Sequence, residues 1–474
     1  MTTPIKFGTD GWRGIIAEDF TFDNVRVCTQ GVIDYVKRAG LAHRGLIVGY
    51  DTRFASEDFA TAAAEVAAAN DIKVYLCQQT TPTPIIGHAV LMKEAAGAII
   101  ITASHNPASW NGFKYRLENA TSASPQVIAE LEKRISEVMT TRSVKHIPLE
   151  QAMRQGLVER FDPSPSYLQH IAGLVDLERL RHSGLRVVVD SMYGAGAGYF
   201  RSILGGGSTE VTEIHNERNP LFPGIRPEPI PPNLAELSTM VKRNRASVGL
   251  ATDGDADRLG IVDEKGNFLT QLQVFALLCL YLLEVREERG AMVRTITSTT
   301  MIDRLGEIFN VPVYETAVGF KYVAPIMMAK DAIIGGEESG GYGFRGHMPE
   351  RDGILAGIYF LDFMLQTGKT PSQLLDYLYS KVGPHYYQRR DFSFPKDQRQ
   401  AITKSVGDNL PQSIDGVKVT KINTSDGFHL TLADTSWLLI RFSGTEPVLR
   451  VYAESNSQAR VEKLLEVGRK LAGV

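Results

Sequence analysis

Cysteine is scarce in this chain. Cys28, Cys77 and Cys279 are the only three in 474 residues, and their wide spacing excludes a disulfide framework and a structural zinc site. No apolar run is long enough to span a bilayer, and the opening Met-Thr-Thr-Pro-Ile-Lys-Phe-Gly lacks the hydrophobic core of a secretory signal. Charge of one sign is missing as well. The 51 basic and 54 acidic residues leave a formal net charge of −3, with no long run of either, which sets aside nucleic acid and anionic membranes as partners. A cytoplasmic location is the expectation. What is present is ordinary for a globular protein, 43% hydrophobic and 22% charged, in a chain too long for one core, so three or four domains are expected.

The organising stretch is Gly97-Ala-Ile-Ile-Ile-Thr-Ala-Ser-His-Asn-Pro107. Its first half is an unbroken apolar, β-branched run, the pattern of a strand buried on both faces of a parallel sheet. It ends in turn formers, so Ser104 stands at the carboxyl end of that strand, where open α/β sheets place ligands. Upstream, Phe7-Gly-Thr-Asp-Gly-Trp-Arg-Gly14 reads as Gly-rich turns carrying Arg13. A strand at Leu46–Tyr50, a helix near 56–70, a strand at 72–76 and a helix after Pro84 then lead into the Ser104 strand. That order is β-α-β-α-β, which implies parallel strands with right-handed crossovers. A helix follows at 125–138, and the polar, Pro-containing passage 146–165 reads as a linker.

Two further units follow the same plan. One runs from the strand Arg186–Asp190 through strands at 209–214 and 247–251 into Thr252-Asp-Gly-Asp-Ala-Asp-Arg258. The next runs from a helix at 271–285 through strands at 293–296, 311–314 and 332–334 into Gly335-Gly-Glu-Glu-Ser-Gly-Gly341. Each unit ends its third strand in a polar, Gly-bearing loop, and the recurrence points to one composite site. The last hundred residues differ: short strands at 417–422, Phe428–Leu432, Trp437–Phe442 and 449–453 and a closing amphipathic helix at 457–472 predict a sheet backed by one helix.

Asp253, Asp255 and Asp257 alternate, and three carboxylates so close call for a hard divalent cation. An EF-hand loop is the competing reading, but Arg258 stands where its obligatory Gly would be, and both flanks read as strands. Arg441-Phe-Ser-Gly-Thr445 offers a guanidinium, two hydroxyls and a Gly, a set suited to cradling phosphate. Gly194-Ala-Gly-Ala-Gly198 has the wrong spacing for a dinucleotide fingerprint and reads as a tight strand–helix turn. Ser104 lacks the G-x-S-x-G elbow of a hydrolase, so phosphoryl transfer is the more economical chemistry than acyl transfer.

With these five motifs in this order, the chain resembles the α-D-phosphohexomutases, the phosphoglucomutase and phosphomannomutase group. The resemblance implies four domains round a central cleft, three mixed-sheet α/β and a last of TATA-binding-protein-like α+β shape. The boundaries expected are 1–155 (phosphoserine loop), 156–265 (metal loop), 266–380 (sugar recognition) and 381–474 (phosphate binding). It implies that Ser104 is carried as phosphoserine, and that its phosphate holds Mg²⁺ together with Asp253, Asp255 and Asp257. Lys114 matches the proton-shuttling lysine, with Arg13 and His105 as helpers. Arg258 steadies the transferring phosphoryl. Glu337 and Ser339 match residues that take sugar hydroxyls, Lys321, His347 and Arg351 look glucose-type, and Arg441, Ser443, Gly444 and Thr445 match the cradle of the non-reacting phosphate.

The activity so implied is the interconversion of glucose 1-phosphate and glucose 6-phosphate through glucose 1,6-bisphosphate. Hexose phosphates are the partners, and the chain is a monomer or homodimer. One departure bears on specificity: Gly341 stands where dual-specificity phosphomannomutase/phosphoglucomutase enzymes carry His. Glucose 1,6-bisphosphate synthase, phosphomannomutase and phosphoglucosamine mutase are the alternatives within the family. Outside it stand a sugar-phosphate phosphatase and a catalytically silent sugar-phosphate sensor.

Overall fold

A computed structural model describes residues 5–141, 144–443 and 448–474. Its architecture is four sheets in chain order. The first runs Trp12–Ile15, Trp110–Arg116, Ala98–Ile101, Leu46–Tyr50, Val74–Cys77 and Val158–Phe161 across its width. The last four strands are parallel to one another, and Trp110–Arg116 runs antiparallel to both of its neighbours. The β-branched run is buried on both faces, as its composition requires. Ile99 and Ile101 pack with Val25, Val32 and Val66 of the helices Phe22–Arg38 and Ser56–Ala68, while Ile100 and Ala98 pack with Ile86 and Val90 of the helix Thr83–Met92.

The second sheet is ordered Phe268–Leu269, Leu259–Val262, Val248–Thr252, Arg186–Asp190, Glu210–Ile214, and the third Val313–Thr316, Met292–Thr295, Ile334–Gly336, Tyr342–Phe344. One device recurs in all three. The strand that ends in the polar loop has a parallel neighbour on one side and, on the other, the antiparallel strand into which the loop returns. Each loop is therefore a reversal at the carboxyl edge of its sheet. The helices Gln271–Leu280 and Gly353–Thr367 are apolar nearly all round because they lie inside the core shared by the second and third units.

The last sheet is wholly antiparallel, ordered Tyr386–Ser393, Val448–Ser455, Trp437–Phe442, Phe428–Leu432, Val417–Asn423 and Ser413–Ile414. Two helices accompany it, Arg399–Asp408 and Gln458–Ala472, not the single one expected. Two other expectations need correction. The passage 146–165 is not a linker: it forms the helix Leu149–Arg154 and the strand Val158–Phe161, which pairs with Val74–Cys77 and carries the first unit past the expected boundary at 155. The Gly-rich opening holds a strand, Trp12–Ile15, paired with the return strand of the Ser104 loop. No helix among the described residues is long and apolar enough to cross a membrane.

Candidate active site

Ser104 is buried and holds a left-handed backbone conformation, φ +52°, strain that persists only where the surroundings over-determine it. The over-determination comes from Arg53, a guanidinium with no exposed surface. It donates to the carbonyls of Ser104 (2.6 Å), Asn106 (2.6 Å), Pro107 (2.9 Å) and Trp110 (3.0 Å), pairs with Asp51 at 3.2 Å and lies over the Phe222 ring. Asp51 in turn accepts from Thr102 Oγ1 at 2.6 Å, and that hydroxyl oxygen accepts the Ser104 N–H at 2.9 Å. Neither Arg53 nor Asp51 was singled out from the sequence. The signal was there: two opposite charges just past a fully buried parallel strand.

The Asp loop abuts the Ser104 loop. Gly254 makes that possible, because a Cβ there would stand 2.4 Å from the Ser104 carbonyl oxygen. Ser104 Oγ donates to Asp253 Oδ2 at 2.8 Å, and Asp253 Oδ1 accepts the backbone N–H groups of Asp257 and Arg258 at 3.1 and 3.2 Å. Asp255 accepts from Thr83 Oγ1 at 2.6 Å and from Lys114 Nζ at 2.7 Å. The tight turn at Gly194 packs directly on the Asp253 and Gly254 carbonyls.

The three Asp carboxylates each bring an oxygen within 4.8 Å of the others. Oδ1 of Asp255 and of Asp257 are buried without a hydrogen-bond partner. Three clustered carboxylates, two of them with an unpartnered buried oxygen, fit a divalent cation of the Mg²⁺ class. Burial and the neighbouring carboxylates Asp255 and Asp257 push the Asp253 carboxyl well up. Asp255 is held low, the contacts with Lys114 and Thr83 outweighing burial.

Lys114 lies at the centre. It is buried, and Asp10 (2.8 Å), Asp255 (2.7 Å) and Asp257 (3.4 Å) surround its ammonium; burial pulls its pKa down but the three carboxylates raise it overall. His105 is the opposite case, held well below the ordinary range by burial and by Arg258, Arg13 and Arg53, so its imidazole is neutral; Nδ1 lies 3.3 Å from Ser104 Oγ. Arg13 Nη1 donates to Asn106 Oδ1 at 2.5 Å. Arg258 Nε stands 3.9 Å from both Asp253 and Asp257.

The third loop joins through Arg351, a buried side chain within reach of Glu337 (3.5 Å), Asp257 (3.0 Å), Asp10 (2.5 Å) and Glu350 (3.2 Å). Burial raises the Glu337 carboxyl. Asp10 also takes Arg116 at 2.6 Å, and Glu350 accepts from the Ser122 N–H at 2.9 Å. Asp10, Arg116 and Glu350 are further residues the sequence reading missed. Asp10 lay within a motif already singled out, but as one acid among glycines. Ser339 is half-buried beside Glu337. Lys321 Nζ donates to the Gly8 carbonyl at 3.3 Å, and burial lowers its pKa.

His347 does not join this set. Its side chain is fully enclosed, bonded to Asp352 at 2.9 Å and stacked on His170 and His88, because the loop turns that ring into the junction of the first three units. The expectation that it touches sugar is therefore corrected. Arg441 pairs with Asp426 at 3.0 Å at the end of its strand, and Ser443 is buried beside it. Gly444 and Thr445 lie outside the described residues. The last unit meets the third loop through Glu338, which accepts from Tyr387 Oη at 3.0 Å and Arg389 Nη1 at 3.4 Å.

A buried serine beside an acidic cation site, with cations for phosphate and a separate polar loop, defines a phosphoryl-transfer centre assembled from several domains. Comparison with known proteins agrees. Family models described as Phosphoglucomutase/phosphomannomutase match four successive stretches of the chain: alpha/beta/alpha domain I over residues 4–142, domain II over 165–266, domain III over 271–382 and the C-terminal domain over 400–469. The chain is 31% identical over 466 residues to the phosphoglucomutase/phosphomannomutase of Thermococcus kodakarensis, covering 98% of each. It is 30% identical over 475 residues to a Methanobrevibacter smithii protein named "Probable phosphoglucosamine mutase", covering 99% of each. A crystal structure from Thermus thermophilus superposes with a TM-score of 0.86 at 32% identity, covering 100% of each chain. The chain belongs to the phosphoglucomutase/phosphomannomutase family of phosphohexomutases.

Proposed function

We propose that the protein interconverts glucose 1-phosphate and glucose 6-phosphate, with Ser104 carrying the phosphoryl group between sugars. The observation that supports this most directly is Ser104 Oγ resting on Asp253, beside the Lys114 that Asp255 holds. In the first half-reaction the P–Oγ bond of phosphoserine 104 breaks as a bond forms from phosphorus to the free sugar hydroxyl. In the second, the other phosphorus of the bisphosphate forms its bond to Ser104 Oγ as its bond to the sugar oxygen breaks, which leaves that oxygen as the free hydroxyl of the product. Each transfer takes one proton from the attacking hydroxyl and gives one to the leaving oxygen. In the first transfer Lys114, kept protonated by its carboxylates, suits the donor and neutral His105 the acceptor; in the second the two exchange roles, which restores both.

Asp253, Asp255 and Asp257 would hold a Mg²⁺ ion, which when bound neutralises charge on the transferring phosphoryl group. Arg258 adds to that field. Glu337 and Ser339 would take sugar hydroxyls, and Arg441 with Ser443, Gly444 and Thr445 would take the phosphate not in reaction. Lys321 and Arg351 complete the glucose-type set.

The test is a panel of hexose 1-phosphates with Mg²⁺ and trace glucose 1,6-bisphosphate, followed to the 6-phosphates. Glucose 1-phosphate should exceed mannose 1-phosphate by about ten- to a hundredfold in kcat/KM, since an epimer leaves a polar group unmatched. Ser104→Ala should be inactive. Equal rates on the epimers, preference for glucosamine 1-phosphate, steady release of inorganic phosphate or stoichiometric accumulation of the bisphosphate would each replace this reading.

A further inference from the structure

The conformation of Gly341 does not require glycine. Its φ is not among the positive ones, and an L-residue would fit the backbone. The obstacle is steric. A Cβ at 341 would stand 2.2 Å from Arg351 Cδ, 2.7 Å from Cγ and 3.4 Å from Cβ. These are stem atoms of a buried side chain, not its free end. The guanidinium beyond them is fastened on several sides, to Asp10, Asp257, Glu337 and Glu350, and lies 5.7 Å from the centre of the Phe320 ring. The stem has nowhere to retreat without giving up those contacts.

We infer that Gly341 and Arg351 form one specificity device. The missing side chain at 341 is the channel through which the Arg351 stem crosses the recognition loop, and Arg351 acts as a positioning residue that sets Glu337. A side chain at 341 and a long stem at 351 exclude each other. Identity at 341 thus acts on the sugar through Glu337, not through contact of its own. This rests on the role proposed above for Glu337.

A double-mutant cycle tests it, using purified full-length protein, assayed at a temperature where circular dichroism shows every variant folded. Gly341→Ala should lower kcat/KM for glucose 1-phosphate by about tenfold or more, mainly as a raised KM, because Glu337 would hold hydroxyls present before and after transfer. Arg351→Lys keeps the stem, so adding Gly341→Ala should again cost about tenfold in that background. Arg351→Ala removes Cγ and Cδ, and there the added Gly341→Ala should change kcat/KM by less than about twofold. The same cycle on the thermal midpoint should show the same coupling, which tests the packing without reference to any substrate. Equal and additive effects of Gly341→Ala in all three backgrounds overturn the inference. Thermal coupling in a protein inactive on every hexose phosphate would instead overturn the proposed role of Glu337, and should Arg351→Ala not fold, the Arg351→Lys arm decides: no cost there overturns the pairing.

Discussion

Replacing Arg53 with alanine removes the group on which four carbonyls of the Ser104 loop converge. The two shortest contacts, both 2.6 Å, are charge-assisted bonds of a type that contributes about 1.5–3 kcal/mol each, but bonds from one guanidinium are not additive. A better guide is the cost of stranding one partner of a buried ion pair, about 3–5 kcal/mol. Asp51 softens that cost: burial already pushes its carboxyl upward against the pull of Arg53, and losing the arginine removes that pull and favours the uncharged form. The expected loss is about 3 kcal/mol. Arg53→Lys keeps a cation opposite Asp51 but cannot fork to four acceptors, so it should fall between. The assay is urea unfolding followed by circular dichroism, with kcat measured where both variants are folded. Because the left-handed Ser104 is held from outside, its release should also draw Oγ away from Asp253 and lower kcat by about tenfold or more. An Arg53→Ala protein within about 1 kcal/mol of wild type, with full kcat, would refute this account of the loop.

Three further outcomes are expected. Chelation should abolish turnover and Mg²⁺ restore it, and Asp255→Asn should be folded but inactive; wild-type rates in EDTA would contradict the donor-set argument. Arg441→Ala should raise KM for glucose 1-phosphate by about tenfold or more, from loss of one charge-assisted contact to the distal phosphate, and an unchanged KM would displace the cradle. His88 is held down to about 4 by burial and by His170 and His347. The unfolded chain therefore binds the extra proton first, and stability is lost as pH falls from about 6.5 toward 4; His88→Gln should flatten the fall of thermal midpoint across that window.

What was legible in the sequence follows a physical line. Parallel strands such as Ala98–Ile101, Leu46–Tyr50 and Arg186–Asp190 are buried on both faces and announce themselves as apolar runs. An antiparallel neighbour that carries site residues does not. Trp110–Arg116 is a buried strand whose residues include Asn111, Lys114 and Arg116, so site chemistry overwrites the apolar signal. Tyr386–Ser393 is an edge strand of mostly polar and charged residues, and edge strands carry such residues to discourage further pairing. Ser104, the three aspartates and Glu337 stand out in the sequence because each follows a strand in a loop of unusual composition. Arg53 and Asp10 escaped because their importance lies in what they bring together across long sequence separations, which no local pattern records. His347 misled for the same reason. Its neighbour Arg351 does enter the site, and one-residue resolution within a loop requires the backbone.

Asp10 has a consequence for anyone who would re-engineer this enzyme. Its one carboxylate accepts Lys114, Arg116 and Arg351, residues from the return strand beside Ser104 and from the recognition segment more than three hundred positions away. The four units look modular, each with its own sheet and loop, and invite loop grafting between relatives. Yet a transplanted recognition segment that lacks an arginine at 351 would leave Asp10 answering only the two cations of its own unit, while one that brings the arginine into a host without Asp10 would bury a cation short of an acid. The practical unit of exchange is therefore a pair of segments, the opening motif and the recognition loop, moved together.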